Sequence, residues 1–166
     1  SGSQGNSAAY HDLGTIYWEG KDGIKKNPQK GIDCFEKSGN LGNSESFFKL
    51  GVSFFNGGDV KQDIKKGISY YEKAAELNNS KALLNLGLSY LKGNGVPQVI
   101  EQGVKYVNHS ATLGNLDAIH NMGLFSITGT YVKQDIEKGV QLCEKALEGG
   151  HWRVGCFLGK CYLQGL

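Results

Sequence analysis

Proline is nearly absent: the 166 residues hold two, Pro28 and Pro97, and a single methionine. Long stretches are thus free of the residue that removes a helical donor and clashes with the preceding turn. No charge of one sign dominates. The 18 Lys and Arg against 16 Asp and Glu leave a net charge of +2, too little to attract nucleic acid or an anionic membrane to the chain as a whole. No apolar run approaches the ~20 residues of a membrane-spanning helix, and no signal-peptide pattern is visible. Cysteine is sparse, and Cys34, Cys143, Cys156 and Cys161 have no regular pairing interval.

Glycine is the residue in surplus, with 25 copies. Its placement is periodic. Gly14, Gly51, Gly87, Gly123 and Gly159 are separated by 37, 36, 36 and 36 residues, each preceded by Leu or Met. Gly20, Gly57, Gly93, Gly129 and Gly165 follow six residues after each of these, and Gly31, Gly67, Gly103 and Gly139 keep steps of 36. Three landmarks in one phase identify a repeat protein. A disulfide-stapled repeat would carry a cysteine pair in each unit, and the two middle repeats have none, so the cysteines read as small buried side chains in a reducing compartment. The tripeptides Asn78-Asn79-Ser80 and Asn108-His109-Ser110 match the N-glycosylation pattern and keep a luminal or secreted location open, although Asn108 falls in a predicted helix.

Each repeat reads as two helices. In the third, Ala82, Leu86, Tyr90 and Gly93 stand at offsets 0, 4, 8 and 11, one stripe of a first helix, A. Small residues at offsets 0, 5 and 11 predict close approach by a neighbour. A mid-helix glycine costs about 1 kcal/mol against alanine, so its recurrence implies that packing needs the missing side chain. A turn follows, Gly93-Asn94-Gly95-Val96-Pro97 or its equivalents. Val60-Lys61-Gln62-Asp63-Ile64 recurs as Val132-Lys133-Gln134-Asp135-Ile136, which predicts Asp63 and Asp135 as N-caps of the second helix, B. Pro28 suits the first turn of that helix in the first repeat. Helix B presents Ile64, Ile68, Tyr71 and Ala75, then Ile136, Val140, Cys143 and Leu147, as an apolar face. It ends near Asn78-Asn79, Gly114-Asn115 or Gly149-Gly150. A lone pair of this kind could not bury its stripe, so neighbours must stack.

The phased pattern Ala82…Leu86-Gly87…Tyr90…Gly93-Asn94-Gly95-Val96, with Asp63…Lys66-Gly67…Tyr70-Tyr71…Ala74-Ala75 in the second half, resembles the Sel1-like repeat, a relative of the tetratricopeptide repeat. The resemblance implies an all-α, right-handed α-α superhelix (a solenoid) of about four and a half helix–turn–helix repeats. Their expected bounds are 8–45, 46–81, 82–117, 118–153 and a half repeat 154–166, with 1–7 reading as a vector remnant plus linker. The family usually has alanine at the places of Gly31, Gly67, Gly103 and Gly139, which predicts a looser helix B. Ser126 stands where the family has the helix A tyrosine.

The resemblance also implies an adaptor or scaffold, with the A helices lining a concave groove for a protein or peptide. On a wheel at about 100° per residue, offsets 3 and 10 lie away from the packing stripe. They read Asp12, Lys49, Asn85, Asn121 and Phe157, and Glu19, Asn56, Lys92, Thr128 and Gln164. Beside them offset 6 gives Thr15, Val52, Leu88, Leu124 and Lys160. Polar side chains flanking apolar ones make a bed for an extended or helical peptide, with Lys49 and Lys92 set to meet an acidic segment. Offset 9 (Trp18, Phe55, Leu91, Ile127, Leu163) and offset 2 (His11, Phe48, Leu84, His120, Cys156) read as core, with Trp18, near the open N-terminal end, expected to join the binding row. The alternative reading for any one of these polar residues is an ordinary wet helix face.

Catalysis would need a cluster that breaks the repeat pattern. His11 and His120 occupy equivalent positions about 30 Å apart at ~10 Å per stacked layer, too far to share a metal. Cys143, His151, Cys156 and Cys161 gather toward the C-terminus, but Cys156 and Cys161 diverge on a helix and Cys143 takes a core position, so no metal or cofactor is expected. Gly93-Asn94-Gly95 lacks the lysine and context of a phosphate loop. The leading expectation is a non-enzymatic module that binds a protein partner without nucleic acid or membrane contact. A bacterial-type repeat hydrolase or β-lactam-binding protein and a passive spacer are the alternatives. The unfinished helix at Val154 to Leu166 would allow end-to-end self-association, since uncapped repeats expose core.

Overall fold

The computed structural model describes residues 2–21 and 23–151, and among these it holds eight α-helices and no strand. They run α1 (Gly2–Glu19), α2 (Pro28–Asn40), α3 (Ser44–Asn56), α4 (Ile64–Glu76), α5 (Ser80–Lys92), α6 (Ile100–Thr112), α7 (Leu116–Thr128) and α8 (Ile136–Glu148). Odd-numbered helices are the A helices and even-numbered ones the B helices. The half repeat expected at 154–166, with Cys156, Phe157, Lys160, Cys161, Leu163 and Gln164, lies outside the described residues, as does the self-association expected there. α1 takes in residues 2–7, the stretch read as a linker; Ser7 is buried and its carbonyl accepts the Ser38 hydroxyl at 2.7 Å.

The helix starts follow the side chains that precede them. Asn27, Asp63 and Asp135 accept the backbone N–H of Lys30, Lys66 and Lys138. Asn43, Asn79 and Asn115 do the same for the A helices, at Ser46, Ala82 and Ala118. Pro28 opens α2, where its missing N–H costs nothing. At the far end of each A helix the offset-11 glycine has positive φ: 73° at Gly20, 79° at Gly57, 69° at Gly93 and 71° at Gly129. These glycines end the helix and do not admit a neighbour, which corrects the packing role expected of them.

The chain divides into two compact units, residues 1–82 and from Leu83 onward. In the first, α1 packs on α2, α2 on α3 and α3 on α4. Its core holds Phe35 and Leu50 at 0% exposure, with Phe47, Phe54, Tyr70 and Tyr71 around them. The Tyr70 ring stacks near Phe54 and Phe47, at 5.6 and 6.3 Å, and its hydroxyl donates to Glu36 of α2. In the second unit Leu84, Leu91, Val107, Ala118 and Phe125 form one cluster, and Ile119, Ile127, Cys143 and Ala146 another. Leu147, predicted on the apolar face of α8, is 40% exposed, and Ala146 takes the buried place at 0%. The equivalent residues Ser38, Ala74 and Ser110 are also fully buried, so the last turn of each B helix faces inward one residue earlier than the wheel implies.

Each A–B pair crosses glycine on glycine. A Cβ at Gly87 would lie 3.0 Å from the Gly103 carbonyl oxygen, and one at Gly103 would lie 2.9 Å from that of Gly87. Gly123 and Gly139 repeat this at 2.9 and 2.8 Å. Each glycine also seats a side chain of the opposite helix. Gly14, Gly51, Gly87 and Gly123 receive Phe35, Tyr71, Val107 and Cys143; Gly31, Gly67, Gly103 and Gly139 receive Trp18, Phe55, Leu91 and Ile127. The seated residue always stands four places after the glycine of its own helix, on the same face. The helix B glycines therefore let the backbones touch, and the expected loosening of helix B is replaced by a tight crossing.

Candidate partner-binding face

The A helices carry the predicted row, and each unit holds half of it. In the first, Asp12, Glu19 and Asn56 are exposed, and Lys49 and Val52 half-buried. In the second, Lys92 and Thr128 are exposed, and Asn85, Leu88, Asn121 and Leu124 half-buried. Offset 10 thus faces water in every described repeat, while offset 6 lies at the margin of the core. Trp18 does not join them. It is 8% exposed, with its ring 6.0 Å from Phe35 and packed over Gly31. Gly31 has no side chain to fill that space, so the indole turns inward. Of the other residues expected in the core, Leu84, Leu91 and Ile127 are buried, and His11, Phe48, Phe55 and His120 half-buried.

Lys49 is held in place. Its ammonium lies 4.9 Å over the Phe35 ring and donates to the Thr15 hydroxyl at 3.3 Å, tying α3 back to α1. Glu19 pairs with Lys21, whose hydrogen bond is the main cause holding the Glu19 carboxyl below its ordinary range. Asn121 and Thr128 donate to carbonyls one turn earlier in α7, Asp117 and Leu124. Only part of the row is therefore free to reorganise around a partner.

Beside Lys49 runs a hydrogen-bond chain that the sequence did not announce. Ser38 Oγ donates to the Ser7 carbonyl at 2.7 Å, Ser46 Oγ to Ser38 Oγ at 2.8 Å, and His11 Nδ1 meets Ser46 Oγ at 2.8 Å. A carbonyl cannot donate, so Ser38 spends its one proton there and Ser46 spends its own on Ser38. The third contact needs a proton from Nδ1, which makes His11 the Nδ1–H tautomer and leaves Nε2 an acceptor when the ring is neutral. Burial first, and Lys49 second, hold its pKa below the ordinary 6.5. The signal for this chain was serine at 46 and 38, where most equivalent positions hold alanine: Ala82, Ala118, Ala74 and Ala146.

His120, Cys143 and His151, far apart in sequence, meet in the second unit. His120 Nδ1 is 4.0 Å from Cys143 Sγ, the two imidazole rings stack at 5.2 Å, and His151 Nε2 lies 2.7 Å from Asp117 Oδ1. Burial, then His151, lowers the pKa of His120. Stacked rings aim their nitrogens past each other, and among the described residues no three His, Cys, Asp or Glu converge on a metal position. Cys34 and Cys143 are buried, and neither forms a disulfide among the described residues. No described helix is long and apolar enough to cross a membrane.

A family model for the Sel1 repeat matches residues 7–43, 44–79, 80–115 and 116–151, with bounds one to two residues before those read from the glycines. Among solved structures, a Sel1 repeat protein from Oxalobacter formigenes is similar at a TM-score of 0.86 and 28% identity, over 98% of this chain and 64% of that one. The protective antigen c5321 of uropathogenic Escherichia coli, which displays an SLR fold, is similar at 0.88 and 29%, over 96% of this chain and 34% of that one. The immunity protein Pa5087 of Pseudomonas aeruginosa is similar at 0.54 and 26%, over 84% and 51%. The chain thus spans less than two thirds of the first two. No curated protein matches it in sequence.

Proposed function

Because the chain belongs to the Sel1 repeat family, we propose that it is a non-enzymatic scaffold whose A helices bind a protein or peptide partner. The observation that supports this most is the offset-10 row, exposed in every described repeat beside half-buried Val52, Leu88 and Leu124. Water-facing polar groups next to apolar margins give a partner hydrogen bonds to orient it and apolar area to hold it. In this reading the first unit contributes the preorganised Lys49 and the exposed Asp12, and the second contributes Lys92, which pairs with no described acidic residue.

The test is capture of partners from an extract of the cells that express the protein, using the immobilised chain. Replacing Lys49, Asn85 and Lys92 by alanine should abolish capture of the proteins retained by the unaltered chain, with the helical circular-dichroism spectrum intact. Replacing exposed B-helix residues Glu72, Lys105 and Gln141 by alanine should leave capture unchanged. Full capture by the first variant would reject the A-helix face.

A further inference from the structure

Charge is close to balanced over the whole chain, at +2, but it is unevenly spread within the first unit. The α1–α2 loop and the start of α2 carry Lys21, Lys25, Lys26 and Lys30; the α3–α4 loop and the start of α4 carry Lys61, Lys65 and Lys66. The described carboxylates nearby are already engaged. Glu19 is taken by Lys21, Asp59 by Lys26, and Asp63 by the backbone N–H of Lys66. Lys25, Lys61 and Lys65 pair with no described acidic residue.

Local stability does not account for Lys25, Lys61 and Lys65, which make none of the ion pairs or ring contacts of their neighbours. The first turn of a helix is the positive end of its dipole and favours acidic side chains, yet α2 and α4 have none there. In the second unit α6 and α8 carry Glu101 and Glu137 in that turn. Where the first unit has Lys61, Lys65 and Lys66, the third repeat has Pro97, Glu101 and Gln102. The repeat fold forms without them.

Two clefts open along this basic edge. One, of about 640 Å³, is lined by the apolar Ile32, Phe54 and Val60 and by Lys61 and Lys66. The other, of about 480 Å³, is lined by Tyr17, Ile24, Lys25, Lys26 and Lys30. The Lys26–Asp59 pair joins their rims. In successive repeats a lysine lies over an aromatic wall, Lys30 at 5.3 Å from the Tyr17 ring centre and Lys66 at 4.2 Å from that of Phe54.

We propose that this edge is a second docking surface, for an acidic segment of a polypeptide that places an apolar side chain in the larger cleft. Asp and Glu of the segment meet Lys25, Lys61 and Lys65, which pair with no described acidic residue, and the apolar side chain covers the half-buried Val60. Charge complementarity selects the acidic partner. The cleft selects a peptide over a nucleic acid. The Phe54 ring of the larger cleft lies under Lys66 and the Tyr17 ring of the smaller one under Lys30, so neither offers bases an open stacking platform. The surface is separate from the A-helix row, so it stands or falls independently of the function proposed above.

Fluorescence anisotropy with the whole chain tests it, using a short labelled peptide of Asp and Glu around a central Leu-Phe and the same peptide with Asn and Gln in their place. The acidic peptide should bind about tenfold more tightly than the amide one, and added salt should weaken it. Lys25→Glu, Lys61→Glu and Lys65→Glu together should weaken binding about tenfold or more, while Asn85→Ala with Lys92→Ala leaves it unchanged. If the triple variant loses helicity, Lys61→Gln alone is read in the same assay. Equal binding of both peptides, full binding by the lysine variants, or tighter binding of a single-stranded RNA of equal charge would overturn the proposal.

Discussion

Burial disfavours the charged form of His11 and His120, and that has a pH signature. Both have folded pKa values below the ordinary 6.5, through burial in each case, reinforced by Lys49 for His11 and by His151 for His120. Asp12 and Glu45 pull His11 the other way, as Asp117 does His120, without reversing the shift. Between the lowered value and about 6.5, the unfolded chain binds protons that the folded chain does not, so stability rises with pH there. The contribution is complete above about 6.5 and is lost as pH falls toward the folded values. Thermal melts should show a falling Tm on acidification from neutral pH. Replacing both histidines by asparagine, which keeps a donor toward Ser46 but does not titrate, should flatten that fall. An unchanged slope would remove the histidines from the account. His11→Ala should cost about 1 kcal/mol at neutral pH, because buried Ser46 loses its donor, and His11→Asn should recover most of it. Nothing in the spacing of Ser7, His11, Ser38 and Ser46 marks them as one chain of protons; only the stacking of α1, α2 and α3 brings them together.

At the scale of the helix, the crossing decides which glycines can be replaced. The family habit of alanine in helix B, together with a helix propensity gain of about 1 kcal/mol, predicts stabilisation by Gly→Ala. The geometry predicts the reverse where backbone is in the way. At Gly67 a Cβ would lie 2.7 Å from the backbone nitrogen of Phe55, and at Gly139 2.8 Å from that of Ile127. At Gly31 the nearest atoms are the Trp18 ring at 3.1 Å and the Gly14 carbonyl oxygen at 3.2 Å. Gly67→Ala and Gly139→Ala should each destabilise by about 2 kcal/mol, the cost of overpacking less the propensity gain, and Gly31→Ala should change stability by less than about 1 kcal/mol. Urea unfolding measures the order, and a stabilising Gly67→Ala would contradict the tight crossing. The glycine period, the caps at Asp63 and Asp135 and the Pro28 start were legible in the sequence because each depends on a local rule. The seats were not, since Gly-x-x-x-Trp18 or Gly-x-x-x-Tyr71 acquires meaning only when an opposing glycine is set against it. Trp18 was misplaced for that reason: its place in the first repeat was readable, the space over Gly31 was not.

Across the molecule the seats change in size. The first unit fills them with Trp18, Phe35, Phe55 and Tyr71, the second with Leu91, Val107, Ile127 and Cys143. Larger buried side chains contribute more apolar area, and in a repeat array stability is close to a sum over repeats and their interfaces. Hydrogen exchange should therefore show α7 and α8 opening at lower denaturant than α3 and α4, and the opposite order would show that seat size does not govern the units. The all-α repeat was visible in the period and the polar A-helix offsets on a helical wheel, whereas the basic edge was not, because the Lys26–Asp59 pair that joins its two clefts forms only when the α1–α2 and α3–α4 loops fall on the same side. The binding face is the claim on which the functional account turns, and lysine footprinting of the chain with and without its captured partner tests it most directly. Protection of Lys92 and Lys49, with Lys73, Lys105 and Lys145 of the B helices labelled as in the free chain, is the predicted result. Protection of those B-helix lysines with Lys49 and Lys92 labelled as before would contradict it.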